Sequence, residues 1–370
     1  MDLLSSINRR VDLMMVIVAL LLCAYGVIMV FSATQSLHLS SGDPYLHLKK
    51  QVVSLFIGVI AIVIISISNY NRWKNHLISI YLLNISILAL VLLIGKTVNG
   101  AKSWIELGTF FQFQPSELSK LLLIVTLASF FASRKTQLNS IQDLVLALVH
   151  VSLPLLLVLA QPDLGTGLCF IAILLGMMLI AGFPARHFAI IFLIGIIIGF
   201  SAFHFQLLEP HQVERLTVFI NPNNAPRDAI YNLVQSKIAI GSGQFSGKGL
   251  FSGTQAKLQF LPERHTDFIF SVVGEELGFL GASFLLLLFF ILIMRGLRTA
   301  AYAKNLFGTL LVAGIVSLWI FQIMINVGMT IGLMPITGIP LPFISYGNSS
   351  LITHLAAIGI LLSVYARRFV

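Results

Sequence analysis

Ten long apolar runs constrain the fold of this chain more than any other feature, because each is long enough to cross a lipid bilayer as a helix. Hydrophobic residues make up 57% of the 370 residues and charged residues only 10%, which excludes an ordinary soluble domain. We therefore expect an all-α polytopic membrane protein. The predicted spans cover about residues 11–33, 51–69, 75–95, 116–133, 143–160, 164–183, 187–206, 268–294, 306–333 and 344–366.

The distribution of basic residues predicts the orientation of the bundle. An even number of spans places both termini on one side, and the short loops of that side hold most of the Lys and Arg, as cytoplasmic loops do. We therefore expect cytoplasmic termini, and the net charge of +9 gives no reason to expect a nucleic-acid partner. The basic residues on that side are Arg9, Arg10, Arg72, Lys74, Arg134, Lys135, Arg186, Arg295, Arg298, Lys304, Arg367 and Arg368.

One segment, about residues 207–267, is the only large stretch outside the predicted spans. It mixes turn signals with amphipathic stretches and is not of low complexity, so we expect an ordered extracytoplasmic loop with short helices. The sequence has no internal repeat and no second soluble domain. We expect one membrane domain over residues 1–370.

Asp267 is the acidic residue whose position most suggests chemistry. The chain has only 14 acidic residues, and an ionised group in or beside a span is costly, so each acid there is informative. Asp267 ends the long loop and opens the eighth predicted span, where a carboxylate can reach an aqueous substrate whose lipid tail stays in the bilayer. The alternative is that Thr266 or Asp267 only caps the helix.

Other acids near the spans have structural alternatives as well. Glu117 and Lys120 are three residues apart at the start of the fourth span, so they share a helical face. They could form a structural ion pair or act as functional groups. Asp163 lies in a tight turn before the sixth span and is a candidate helix cap. Glu275 and Glu276 lie two turns inside the eighth span, where paired or protonated burial is the structural alternative.

Basic residues give the long loop a character suited to a pyrophosphate or another anion, although solvated loop charges would look the same. Its glycine-rich stretch GSGQFSGKG fails the P-loop template at Ser242 and Gly249. The chain lacks HExxH and GxSxG motifs and clustered His and Cys ligands, so metal-dependent and serine hydrolase chemistry have no support. The basic loop residues are Arg215, Arg227, Lys237, Lys248, Lys257 and Arg264.

Seven stretches, taken together and in order, resemble the SEDS family of peptidoglycan polymerases, the shape, elongation, division and sporulation proteins. The forms QSKIAIGSG and LPERHTDF are similar to the rod-shape branch of that family rather than to the division branch. The stretches are NGAKSWIELG at 99–108, FQPSELSK at 113–120, AQPDLGTG at 160–167, QSKIAIGSG at 235–243, GKG at 247–249, LPERHTDFIFSVVGEELG at 261–278 and GIPLPFISYG at 338–347.

The resemblance implies a glycosyltransferase of the bacterial plasma membrane, active on the extracytoplasmic face during cell elongation and rod-shape maintenance. It would join lipid II units to a glycan held on undecaprenyl pyrophosphate, with a class B penicillin-binding protein and the elongation machinery as partners. Asp267 matches the catalytic aspartate and would act as general base on the acceptor hydroxyl. Glu117, Lys120 and Asp163 match other polar positions important in the family. Together with the basic loop residues Arg215, Lys248 and Arg264, they are the expected substrate-binding residues.

Two positions depart from the family pattern: Ser103 stands where Arg is usual, and Asn348 replaces the second glycine of SYGGS. Lys102 is no simple replacement for the missing Arg. A lipid II transporter and a non-catalytic scaffold stay open as alternatives. A divalent cation beside the pyrophosphate is compatible with the chemistry, but no ligand motif marks a metal site, so the cofactor stays open as well.

Overall fold

The computed structural model describes residues 11–35, 45–98, 100–108, 111–134, 140–206, 208–221 and 227–369. Arg9, Arg10 and Lys135 of the orientation argument, and Asn99 of the first family stretch, lie outside these residues. Within them, ten helices are long and apolar enough to cross a membrane, which confirms the predicted all-α polytopic architecture.

The first seven spanning helices are followed by the long loop and then by three more. The first group is α1 Leu13–Thr34, α2 Leu46–Ile67, α3 Leu77–Ile94, α4 Pro115–Ser133, α5 Ile141–Leu159, α6 Leu164–Ala181 and α7 Ala185–His204, with a 3-10 helix at Tyr70–His76 before α3. The loop carries α8 Pro210–Ile220, α9 Arg227–Gly243 and α10 Thr254–Lys257, so the prediction of short helices there is confirmed. The last group is α11 Ile269–Ala301, α12 Leu306–Ile331 and α13 Asn348–Ala366.

Three helix boundaries differ from the prediction by four residues or more, at the start of the second span, the end of the eighth and the start of the tenth. α2 begins at Leu46, five residues before the predicted start. α11 runs seven residues past the predicted end, because the polar segment after residue 294 continues the helix beyond its apolar part. α13 begins at Asn348 and not at residue 344, because the amides of Ile344 and Ser345 both donate to the Leu341 carbonyl and close a turn first.

A small antiparallel sheet between α3 and α4 was not predicted. Its strands are β1 Lys96–Val98, β2 Ala101–Leu107 and β3 Phe111–Phe113, in the order β1-β2-β3. β1 and β2 join through a tight turn in which Gly100 has a φ of 85°, a left-handed conformation that glycine adopts without strain. Strands this short show too little alternation to be recognised from sequence.

The helices divide into a buried centre and a lipid-facing rim. In the most apolar window of each helix, 83% of residues are buried for α13, 72% for α4 and 67% for α12, but only 6% for α7. Aliphatic side chains cover the rim, as lipid contact requires. The central helices also bury polar side chains, among them Lys120, Gln322 and His354, and buried polar groups inside a membrane protein mark functional regions.

Candidate active site

A cavity of about 330 Å³ opens among the loop end of the central helices, the small sheet and the long loop. Five of the seven residues predicted to form the site line it: Glu117, Lys120, Asp163, Arg215 and Asp267. They come from four separate parts of the chain, so the fold assembles a site that no local stretch contains. Concave pockets with a few converging polar groups are the usual form of a small-molecule site.

Asp267 and Arg215 form one wall of the cavity. A Cβ atom built on Gly338 would lie 3.4 Å from Asp267 Oδ2 and 3.4 Å from Arg215 Nη1, so both groups converge on this glycine. Gly338 has a φ of 72°, a backbone conformation that disfavours any side chain. The bare backbone therefore leaves room for the carboxylate and the guanidinium to face the same space.

The turn that carries Asp267 is held by side chains from two other segments. Asn326 of α12 donates from Nδ2 to the Asp267 carbonyl at 2.9 Å and to the Ile339 carbonyl at 2.8 Å. Ser345 donates from Oγ to the Thr266 carbonyl at 2.6 Å. These bonds fix the backbone on both sides of the candidate base, which is the preorganisation that catalysis requires.

Asp267 does not cap α11. The residue at the start of that helix is Phe268, and no side chain forms a cap bond there, so the capping alternative for Thr266 or Asp267 is wrong. Thr266 Oγ1 instead donates to the Glu263 carboxylate at 2.9 Å. Burial raises the pKa of Asp267 to about 7, with a further rise from the nearby charge of Glu263 and a smaller opposing effect of Arg215.

The cavity lining also contains an ion pair. Lys120 Nζ lies 2.6 Å from Glu117 Oε1, and both residues are almost completely buried. The predicted shared helical face is therefore confirmed as a salt bridge. Removal of either charge would leave the other unpaired in a low-dielectric interior, which is expensive.

Asp163 combines a structural contact with a place in the cavity lining. Its carboxylate accepts from the Thr166 amide at 3.0 Å and from Thr166 Oγ1 at 2.8 Å, so it caps α6 as the alternative interpretation expected. Ser116 Oγ and Gln114 Nε2 each donate to it at 3.4 Å. Asp163 therefore ties the start of α6 to the start of α4 at the cavity wall.

Lys248 and Arg264 lie outside the cavity lining and bond to other parts of the protein. Lys248 Nζ contacts Glu275 Oε1 at 2.7 Å, so of the two structural alternatives for this buried acid, pairing and protonation, the structure shows pairing. Arg264 is 1% exposed and donates from Nε to the Ala33 carbonyl at 2.8 Å. Its guanidinium also donates from Nη1 to the Leu261 carbonyl at 3.2 Å, so it satisfies two backbone carbonyls.

Several cavity residues escaped the sequence interpretation. Glu263 lies in the LPERHTDF stretch but has no span beside it to mark it, and Trp104 reaches the cavity only through the unpredicted sheet. Asn326, which is not among the lining residues but holds the Asp267 turn, carries a signal that was available, because it is a polar residue in the apolar run WIFQIMINVGMT. Ser103, one of the two departures from the family pattern, is a cavity residue and 1% exposed.

Asn348, the other departure, lies at the start of α13 and accepts from Ser54 Oγ at 3.0 Å. It therefore joins α13 to α2. Among the described residues, no group of three or more His, Cys, Asp or Glu side chains is arranged to hold a metal ion.

Comparisons with known proteins identify the family. The FtsW, RodA and SpoVE family model, described as a cell cycle protein, matches residues 12–368, so the chain belongs to this family, which its motifs indicated as SEDS. Stage V sporulation protein E of Bacillus subtilis is 40% identical over 357 residues, covering 95% of this chain and 96% of that protein. Peptidoglycan glycosyltransferase MrdB of Escherichia coli is 36% identical over 367 residues, covering 97% of this chain and 94% of that protein.

A solved structure extends the similarity to the fold. It is described as structural coordination of polymerization and crosslinking by a peptidoglycan synthase complex, and one of its chains matches with a TM-score of 0.79 and 30% identity. The match covers 96% of this chain and 97% of that chain.

Proposed function

We propose that this chain polymerises lipid II into glycan strands during cell elongation and rod-shape maintenance, with Asp267 as the general base. The chain is a peptidoglycan glycosyltransferase, the activity for which its relative MrdB is named. The observation that carries the proposed role of Asp267 is its position beside Arg215 in the cavity, with a pKa raised to about 7. A base with a pKa near the working pH accepts a proton efficiently and is still deprotonated often enough to act.

The reaction needs one proton acceptor and one anion-stabilising group. The acceptor hydroxyl forms a bond to the anomeric carbon of the donor sugar, and its proton passes to Asp267. The bond from that carbon to the pyrophosphate breaks, and the pyrophosphate departs with the electron pair. Arg215 is placed to bind the departing charge, since its guanidinium fork matches phosphate oxygens.

Glu117, Lys120 and Asp163 are proposed to bind the substrate while they are held by bonds within the protein. Glu117 and Lys120 form an ion pair, and Asp163 caps α6 by accepting a hydrogen bond from the Thr166 amide. We therefore assign to them the shape of the cavity and the orientation of sugar and peptide groups.

We propose that the cavity faces the extracytoplasmic side and that residues 1–370 form one membrane domain. The chain is a multi-pass protein of the inner membrane, with ten membrane-spanning helices among its described residues. The basic short loops lie on the side of the termini, and the long loop with the cavity lies on the other, as the distribution of basic residues in membrane proteins favours.

We propose a class B penicillin-binding protein and the elongation machinery as partners. The similarity to a chain of a peptidoglycan synthase complex that coordinates polymerization and crosslinking supports a crosslinking partner. Lipid II and an undecaprenyl-pyrophosphate-linked glycan are the corresponding substrates.

The test compares glycan polymer made from labelled lipid II by the native chain and by Asp267→Asn, each purified with the candidate partner. We expect polymer from the native chain and none from Asp267→Asn in an assembled complex. Glu106→Gln, which removes an exposed charge outside the cavity lining, serves as the control and should keep the activity. Equal polymer from Asp267→Asn would refute the catalytic role, and movement of lipid II across vesicles without polymer would favour a transporter.

A further inference from the structure

Helix α11, which follows Asp267 directly, is broken inside its length. Gly278 has a φ of 63° and a ψ of −160°, a conformation open essentially to glycine alone, and it separates a half-helix at 269–277 from a second at 279–301. A break of this kind deprives backbone amides and carbonyls of their partners within the helix. Inside a membrane protein such groups must find other partners, because lipid supplies none.

The long loop supplies those partners. Two amides after the break donate to loop carbonyls, and two carbonyls before the break accept from loop amides. The four bonds are Phe279 N to Gln244 O at 2.9 Å, Leu280 N to Phe245 O at 3.1 Å, Lys248 N to Glu275 O at 3.0 Å and Gly249 N to Glu276 O at 3.0 Å. We call residues 243–255, which run along the break, the clasp.

The carboxylate of Glu275 binds the far end of the clasp. Its Oε1 atom accepts from Lys248 Nζ at 2.7 Å and from the Thr254 amide at 2.8 Å. Thr254 Oγ1 donates to the same oxygen at 2.9 Å, and the Gln255 amide donates at 3.1 Å. Glu275 is completely buried, so these bonds compensate a charge that water does not reach.

The carboxylate of Glu276 binds the middle of the clasp and the end of α1. It accepts from the Phe251 amide at 3.1 Å, from the Gly253 amide at 3.4 Å and from Ser32 Oγ at 2.5 Å. The two neighbouring acids therefore hold the clasp along most of its length, and Glu276 also joins it to another spanning helix.

The glycines of GSGQFSGKG fit this close approach. A Cβ atom on Gly243 would collide with the carbonyl of Gly274, and one on Gly247 would collide with the carbonyl of Glu276. Glycine lets the clasp backbone lie directly against the backbone of α11. The stretch that resembles a phosphate cradle therefore packs against a broken helix.

We propose that Glu275 and Glu276 are positioning residues, which hold the half-helix 269–277 through the clasp so that Asp267 stays beside Arg215 in the cavity. The break removes the rigidity that a continuous helix would give to the segment carrying Asp267, and the clasp restores it. This inference rests on the proposed function, since it concerns the geometry of the proposed base.

The test measures steady-state kinetics and amide hydrogen exchange of the full chain with its partner, for the native protein, Glu275→Gln and Glu276→Gln. We expect each variant to lower kcat about tenfold or more with KM within about twofold, because small displacements of a catalytic group are costly. Amides of residues 249–253 should exchange faster in both. Glu214→Gln is the matched control, since it removes the charge of an exposed acid of the same loop and should change neither quantity.

The outcomes separate this proposal from the proposed function. A native chain that forms no polymer would contradict the proposed function. If the native chain is active, an unchanged kcat in both Glu275→Gln and Glu276→Gln would refute the positioning role. A raised KM at unchanged kcat would also refute it, because that result would indicate direct substrate binding. Lys248→Met gives a milder second variant, because its backbone amide still bonds Glu275, and it should lower kcat without raising KM.

Discussion

Asp267 and Arg215 approach the same point above Gly338, each within 3.4 Å of where that residue's Cβ would lie. The carboxylate and the guanidinium come from different elements, the turn before α11 and helix α8, and the glycine between them carries no side chain to separate them. The charge of each group therefore acts on the other, and the predictions on pH dependence follow from this relationship.

Glu263→Gln should move the acid limb of the kcat–pH profile to lower pH. In the native chain the limb should have its midpoint at about 7, since Asp267 must be deprotonated to act as base. The Glu263 charge raises the pKa of Asp267, so its removal lowers the midpoint. Polymerisation rates at saturating lipid II across this range measure it, and Glu263→Asp, which keeps the charge, should retain a midpoint nearer the native one.

The same shift has a consequence for stability. Between the ordinary Asp value of 3.8 and about 7, the folded state holds a proton on Asp267 that the unfolded state has lost. The contribution of Asp267 to the free energy of unfolding therefore falls as the pH rises through this window. Asp267→Asn should remove that contribution, and a thermal stability that falls equally with pH in the native chain and the variant would contradict it.

Arg215→Gln should move the same midpoint in the opposite direction. The guanidinium lowers the pKa of Asp267, so its loss raises the midpoint above the native value. It should also lower kcat, because the departing pyrophosphate loses its cation. Arg215→Lys keeps the positive charge but loses the forked guanidinium. Compared with Arg215→Gln, it should therefore restore the pH midpoint more fully than it restores kcat. A midpoint unmoved in Arg215→Gln would show that the two groups do not interact.

Asn326→Leu should reduce both activity and stability. The variant leaves the carbonyls of Asp267 and Ile339 without their buried donor, at a cost of about 1–3 kcal/mol for each carbonyl. We expect a lower melting temperature and a lower kcat at nearly constant KM. Gln322→Leu is the control, because Gln322 lies in the same helix, is fully buried and has no hydrogen-bond partner among the described residues. That change should be neutral or stabilising.

Glu117→Gln and Lys120→Met should each destabilise the chain more than the double variant does. Either single change leaves a buried charge without its partner, a loss of about 3–5 kcal/mol, whereas the double change removes both charges together. Denaturation of the three variants in one detergent forms a double-mutant cycle. Purely additive losses would mean that the pair does not act as a unit.

The sequence predicted the spans and five cavity residues because both depend on strong local signals. Ten apolar runs directly indicate the helices that insert into the membrane, and the scarce acids beside these runs indicate where the site lies. The partners of Lys248 and Arg264 could not be predicted, because charge alone does not say which group a side chain meets. Their partners, Glu275 and the Ala33 carbonyl, lie 27 and 231 residues away in the chain.

The break in α11 could not be predicted from the local sequence, for a related reason. Its run contains two adjacent acids, Glu275 and Glu276, but no residue that by itself marks a break, and a single glycine inside a span commonly stays helical. What makes Gly278 a break is the set of loop carbonyls and amides that lie beside it. Only the tertiary fold brings these together.

The clasp also bears on the order in which this protein matures during synthesis. The bonds from Lys248 Nζ and from the Phe251 backbone amide to the carboxylates of the α11 acids join residues 27 and 25 positions apart. The clasp can therefore close as soon as α11 leaves the ribosome. The bonds that fasten the Asp267 turn span 59 positions to Asn326 and 79 to Ser345. In a chain whose α12 has not yet emerged, the clasp would therefore be closed while the cavity is still incomplete. Such a chain would be inactive toward its substrate until its last two helices are synthesised.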